Sequence, residues 1–127
     1  MSRALIRHRF NAYINQSGRC FYCGVAMWLK GIEGFAHKHR ISLRQAGRFK
    51  CTAEHLVARR EGGGDEPENI VAACSYCNCK RHDRKQPMSP DHYRRYVLGR
   101  LQSRRWHQDW VYRCAGELLP ASSTSVS

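Results

Sequence analysis

The chain of 127 residues has no run of about 18 apolar side chains, so nothing in it reads as a membrane-spanning helix. Its opening stretch, MSRALIRHRFNAYINQSGRC, lacks the continuous apolar centre of a secretory leader, and no segment repeats another. The expected location is the cytoplasm, where thiols stay reduced. Acidic side chains are also scarce, with ten Asp/Glu against 22 Lys/Arg and a formal charge of +12. In residues 1–50, Glu33 stands alone against ten basic residues (+9). Residues 51–83 hold four basic against six acidic residues (−2), and residues 84–127 hold eight against three (+5). Two basic flanks enclose an acidic centre, as expected if the flanks meet a polyanion while the centre holds a cation.

Cysteine is abundant by comparison, with seven in all. Cys20-x-x-Cys23 and Cys74-x-x-Cys77 form two knuckles about fifty residues apart, each able to turn two thiolates toward a common point. In a reducing compartment such a double pair points to metal rather than to disulfides. Four sulfurs give the closed tetrahedron of a structural zinc, which contributes folding free energy directly. Cys51, Cys79 and Cys114 are assigned to packing. Cys79 in place of Cys77 in the metal shell is the alternative, at the expense of the two-residue spacer.

Along the chain, Leu5, Ile6, Phe10, Tyr13 and Ile14 fall at helical spacing and predict an amphipathic helix over 3–16, ended by Ser17-Gly18. Val25–Lys50 is broken by Gly31, Gly34 and Gly47 into short pieces. A strand is expected from Phe49 to Leu56, then a polar glycine-rich loop over 59–69. A second strand over Ile70–Ala73 should run into the Cys74 knuckle, followed by a helix from Asn78 to Lys85. Ser89-Pro90-Asp91 is a helix start, with serine as cap and proline at the first position. That helix should reach about Ser103, and Tyr93, Tyr96, Val97, Leu101, Trp106, Trp110 and Val111 continue as a core stripe. One domain is expected over 1–118, with a core at about 49–85, a helical extension over 89–118 and a disordered tail over 119–127.

Residues 53–82, AEHLVARREGGGDEPENIVAACSYCNCKRH, combine an acid-His pair, a loop with adjacent glycines, an Asn followed by an aliphatic pair, and C-x-x-C-N-x-x-R-H. In that order and spacing they resemble the HNH endonuclease motif, and Cys20 and Cys23 match the family's zinc-stapled form. The resemblance implies an α+β protein with a ββα-metal core, in which two strands and a helix clasp one divalent cation for phosphodiester hydrolysis. By position, His55 is similar to the general base that activates water, and Asn69 to the residue that braces the loop and orients that histidine. Glu54 and His82 are similar to the cation ligands, with His82 among the catalytic set. Asn78, one helical turn before His82, matches a further ligand used by some members. The acid is Glu54, where Asp is the commoner choice.

The chemistry agrees with the resemblance. Deprotonating water near neutral pH suits a histidine, and a cation neutralises charge on phosphate and leaving oxygen. A carboxylate and an imidazole leave most of an octahedral shell open, as Mg²⁺ or Mn²⁺ requires. DNA, taken as double-stranded, is the expected partner, gripped by Arg59, Arg60, Lys80, Arg81, Arg84, Lys85, Arg94 and Arg95. Arg100, Arg104 and Arg105 could extend that grip along the duplex. Histidines 8, 37, 39, 92 and 107 are read as surface or phosphate-contact residues. A non-catalytic zinc-stapled nucleic-acid-binding module is the alternative, and it leaves Glu54, His55, Asn69 and His82 without a reason to occur together.

Overall fold

The computed structural model describes residues 1–114 and 117–120. Its elements run α1 (Arg3–Asn15), α2 (Ile32–His39), α3 (Leu43–Gly47), β1 (Cys51–His55), β2 (Ile70–Cys74), α4 (Ser75–His82), α5 (Pro90–Gln102) and α6 (Asp109–Arg113). β1 and β2 form a two-stranded antiparallel sheet, with Cys51 opposite Cys74 and His55 opposite Ile70. With α4 this is the expected ββα core of an α+β fold. No helix among the described residues is long and apolar enough to cross a membrane.

α1 is capped by Ser2, whose hydroxyl accepts from the Leu5 amide at 3.1 Å. Only part of the apolar stripe expected from the sequence is buried. Ile6, Phe10 and Ile14 are exposed, while Leu5 is buried and Ala12 and Tyr13 lie against the core. A polar tie adds to this packing. The Gln16 amide nitrogen donates to the Ala72 carbonyl at 2.8 Å and its oxygen accepts from the Ala72 amide at 2.9 Å, so the side chain satisfies the free edge of β2 as a third strand would.

α4 starts at Ser75, three residues before the expected Asn78, because Cys74 acts as its N-cap. The Cys74 sulfur accepts from the Cys77 amide at 3.4 Å, so metal knuckle and helix start are one turn. α5 begins as expected, with Ser89 accepting from the His92 amide and Pro90 in the first turn. It packs through Tyr93 and Val97, while Tyr96 remains exposed. The core gathers Tyr22, Val25, Phe49, Cys51, Val97, Val111 and Leu118 around the four knuckle cysteines. Leu119 packs against it as well. Of the expected tail, 121–127 lies outside the described residues.

Candidate functional site

The knuckle cysteines come together as the spacing requires. The sulfurs of Cys20, Cys23, Cys74 and Cys77 all lie within 4.8 Å of one another, and all four residues are buried. Among the described residues this is the one group of three or more Cys, His, Asp or Glu ligand atoms that close. The amides of Tyr22 and Cys74 donate to the Cys20 sulfur at 3.4 and 3.3 Å, and the Trp106 indole N–H donates to the Cys77 sulfur at 3.3 Å. Burial raises the Cys20 thiol, but hydrogen bonds from Cys23, Cys74 and Cys77 outweigh it and hold Cys20 well below the usual range. Burial, followed by hydrogen bonding to Cys20, pushes Cys23 well up, and the same two causes raise Cys77. Such a nest of sulfur and N–H groups is placed to bind a metal that carries the charge of four thiolates. Cys51 is buried, and burial pushes its thiol up to about 12. Cys79 is exposed on α4, contrary to its assignment to packing, because it falls on the helix side away from the sheet.

Glu54, His55, Asn78 and His82 line one cleft of about 350 Å³ with Ala53, Ala58, Arg59 and Arg60. α4 lies across β1, so Asn78 and His82, four apart and on one face, both look at the strand. Asn78 is anchored by its amide N–H to the Thr52 hydroxyl at 2.9 Å, and Thr52 donates in turn to the Ala73 carbonyl at 2.6 Å. Glu54 is only 1% exposed. Its Oε1 lies 2.9 Å from His82 Nε2, while Oε2 accepts from the Tyr22 hydroxyl and from Arg81 Nη1, each at 2.9 Å. Burial and then the Glu54 charge raise the Tyr22 phenol, keeping it a donor. Tyr22 sits between Cys20 and Cys23, so the metal knuckle itself holds the carboxylate.

Arg81 departs from the expected grip on phosphate. It is buried, and besides Glu54 it donates to the carbonyls of His55, Leu56 and Met88 at 2.9–3.1 Å. Its role is to neutralise Glu54 and tie the end of β1 to the chain leaving α4. Oε1 is then the carboxylate oxygen left toward the cleft. Two ligands about 2.1 Å from one octahedral cation lie about 3 Å apart at adjacent positions, and the 2.9 Å between Glu54 Oε1 and His82 Nε2 fits that spacing.

His55 turns toward the glycine-rich loop. Its Nε2 lies 2.7 Å from Asp65 Oδ1, and Arg59 reaches the same carboxylate at 3.1 and 3.3 Å. The hydrogen bond to His55, with Arg59 behind it, holds the Asp65 carboxyl below its ordinary value. Arg59 Nε also donates to His55 Nε2 at 3.3 Å, so this nitrogen is shared between carboxylate and guanidinium, and the tautomer that donates to the closer Asp65 leaves Nδ1 with its lone pair free. Asn69 braces the loop from within. Its oxygen accepts from the Val57 amide at 2.8 Å, and its nitrogen donates to the carbonyls of Val57 and Gly64 at 3.1 and 2.8 Å. Gly63 is required by this closure, since a Cβ there would collide with the Val57 carbonyl.

Residues 36–84 match the HNH endonuclease family model. The match reaches further toward the N-terminus than the motif at 53–82. No curated protein and no solved structure matches the chain.

The other cations expected to grip DNA lie at the surface. Lys80, Arg84, Lys85, Arg94 and Arg95 are exposed, as are Arg59 and Arg60 at the cleft. Arg60 donates to the Arg84 carbonyl at 2.7 Å, and the Arg94 guanidinium lies 4.4 Å from the Phe21 ring centre. Two histidines expected at the surface are buried. His39 lies against Phe35, and His107 sits among Phe49, Tyr76 and Tyr112, where burial and then Arg48 push it down to about 3. The sequence reading missed Tyr22, Asp65 and the bracing role of Arg81. Position within a knuckle and an acid at the end of a glycine run were the signals for the first two.

Proposed function

We propose that the protein is a metal-dependent endonuclease that hydrolyses DNA phosphodiester bonds in the Glu54–His82 cleft. The observation that carries this is the convergence of Glu54, His55, Asn78 and His82 on one solvent-open cleft edged by Arg59 and Arg60. Glu54 Oε1 and His82 Nε2, with Asn78 beside them, would hold Mg²⁺ or Mn²⁺, which when bound supplies charge neutralisation at the scissile phosphate and at the leaving oxygen. His55 takes the proton of the attacking water at Nδ1, while Asp65 keeps Nε2 occupied and the ring oriented. Asn69 fixes the loop that carries Asp65. Arg59 and Arg60 position the phosphate, and the exposed cations of α4 and α5 extend the hold on the backbone. The thiolate cluster takes zinc, which fixes Tyr22 on Glu54 and the start of α4.

Incubating zinc-loaded protein with supercoiled plasmid tests this. Cleavage that needs added Mg²⁺ or Mn²⁺ supports the reading. Plasmid that is bound but left intact under every divalent cation would make the protein a zinc-stapled binding module instead.

A further inference from the structure

A second concavity, of about 570 Å³, opens on residues that share nothing with the catalytic cleft. Its volume lies within the ~300–1,000 Å³ typical of ligand sites. Tyr13, Trp28 and Phe35 supply aromatic walls, and Arg19, Lys30 and Lys38 face it against a single acid, Glu117. The Trp28 ring is fixed by its N–H donating to the Ala46 carbonyl at 2.8 Å, and the Lys50 ammonium lies 5.9 Å from the ring centre. Arg19 is held in place by the carbonyls of Gly24, Glu117 and Leu118. The groove is therefore lined by aromatic side chains, with Trp28 and Arg19 anchored, and is net positive.

Gly34 lines the same groove. It lies inside α2, has no left-handed backbone, and a Cβ built on it meets nothing within 4 Å. Neither packing nor conformation calls for glycine, which weakens a helix interior relative to Ala. Its effect is on the groove it lines, where it leaves room for a ligand to approach the helix backbone.

We propose that this groove holds unpaired nucleotides of a DNA strand, with bases against Trp28 and Phe35 and phosphates at Lys30 and Lys38. Aromatic faces flanked by cations are what an unpaired strand offers its bases and phosphates to, whereas a duplex keeps its base faces inside the stack. The inference rests on the reading that DNA is the substrate and narrows it to DNA with a single-stranded segment, such as a flap, gap or frayed end.

Binding measured without cleavage tests it. Zinc-loaded protein in magnesium-free buffer is titrated into labelled oligothymidylate of about ten nucleotides, within the ~4–16 that single-strand sites span, and separately into a duplex. Wild-type protein should bind the oligonucleotide. Gly34→Leu starts a bulky side chain from a position on the groove lining where a Cβ meets nothing within 4 Å, and should weaken oligonucleotide binding by about 10-fold or more. It should leave duplex binding within about two-fold and melt no earlier than wild type. Lys30→Glu with Lys38→Glu should weaken oligonucleotide binding and flatten its salt dependence. No oligonucleotide binding by wild type, an unaffected Gly34→Leu variant, or equal loss for strand and duplex would each overturn the proposal. So would free thymidine monophosphate binding as tightly as the strand. Oligonucleotide binding without plasmid cleavage would sink the nuclease reading alone, and plasmid cleavage without oligonucleotide binding would sink only the groove.

Discussion

Replacing Arg81 by Ala should destabilise the protein severely while telling nothing about DNA contact. Glu54 and Arg81 are 1% and 3% exposed, so both charges have left water. Removing the guanidinium leaves the carboxylate buried with only the Tyr22 hydroxyl and His82, a loss of about 3–5 kcal/mol. The carbonyls of His55, Leu56 and Met88 lose a donor in the same step. Against a total stability of about 5–15 kcal/mol, this should lower Tm by roughly 10–20 °C. Urea unfolding with thermal melting reads the effect. Lys80→Ala, one position earlier and exposed, should stay within about 0.5 kcal/mol of wild type. Pairing Arg81→Met with Glu54→Gln should recover part of the loss, because the uncompensated charge goes with its partner. An Arg81→Ala protein that melts with wild type but binds DNA more weakly would refute the brace and return Arg81 to the phosphate contacts.

His55→Ala should lower single-turnover cleavage by at least ~10²-fold with DNA affinity and zinc content unchanged; weakened binding would make the residue structural. Asn69→Ala should give a smaller loss of cleavage, since it frees the loop without removing the base, and a loss equal to that of His55→Ala would contradict that division. Duplex binding should fall steeply between low and moderate salt as counterions are released, and a flat response would count against the exposed cations as the grip. The folded protein keeps His107 neutral down to about pH 3, while the unfolded chain protonates it near 6.5. Its stability is therefore whole above pH 6.5 and is lost as pH falls, by about 2 kcal/mol at pH 5. Arg48, Tyr76 and Tyr112 face this ring, and none of them supplies a carboxylate to retain the proton. Equal acid sensitivity in His107→Phe would assign the loss elsewhere.

The cysteine spacing was readable because a tetrahedral site needs paired sulfurs, and the acid-His to knuckle order was readable through its resemblance to the HNH motif, which implies strand, loop, strand and helix in that sequence. The caps at Ser89 and Pro90 were legible for a local reason. The helix α1 was legible, but not how it docks, because Ile6, Phe10 and Ile14 of its apolar stripe are exposed and Gln16 binds the edge of β2, a long-range pairing that leaves no periodic trace. Arg81 and Lys80 look alike in sequence, yet one turns under the sheet to Glu54 and the other outward. Asp65 lies ten residues from His55 and meets it only because Asn69 and Gly63 fold the loop back.

Two separate metal functions are proposed, a thiolate cluster that holds the fold and a Glu54–His82 pair that serves the chemistry. Zinc content and plasmid cleavage measured together on His82→Ala test this most directly. The expected protein is folded, melts near wild type, carries about one zinc per chain and cuts little or no DNA in Mg²⁺ or Mn²⁺. A His82→Ala protein that loses its zinc and melts early, or one that cuts plasmid as wild type does, would contradict it.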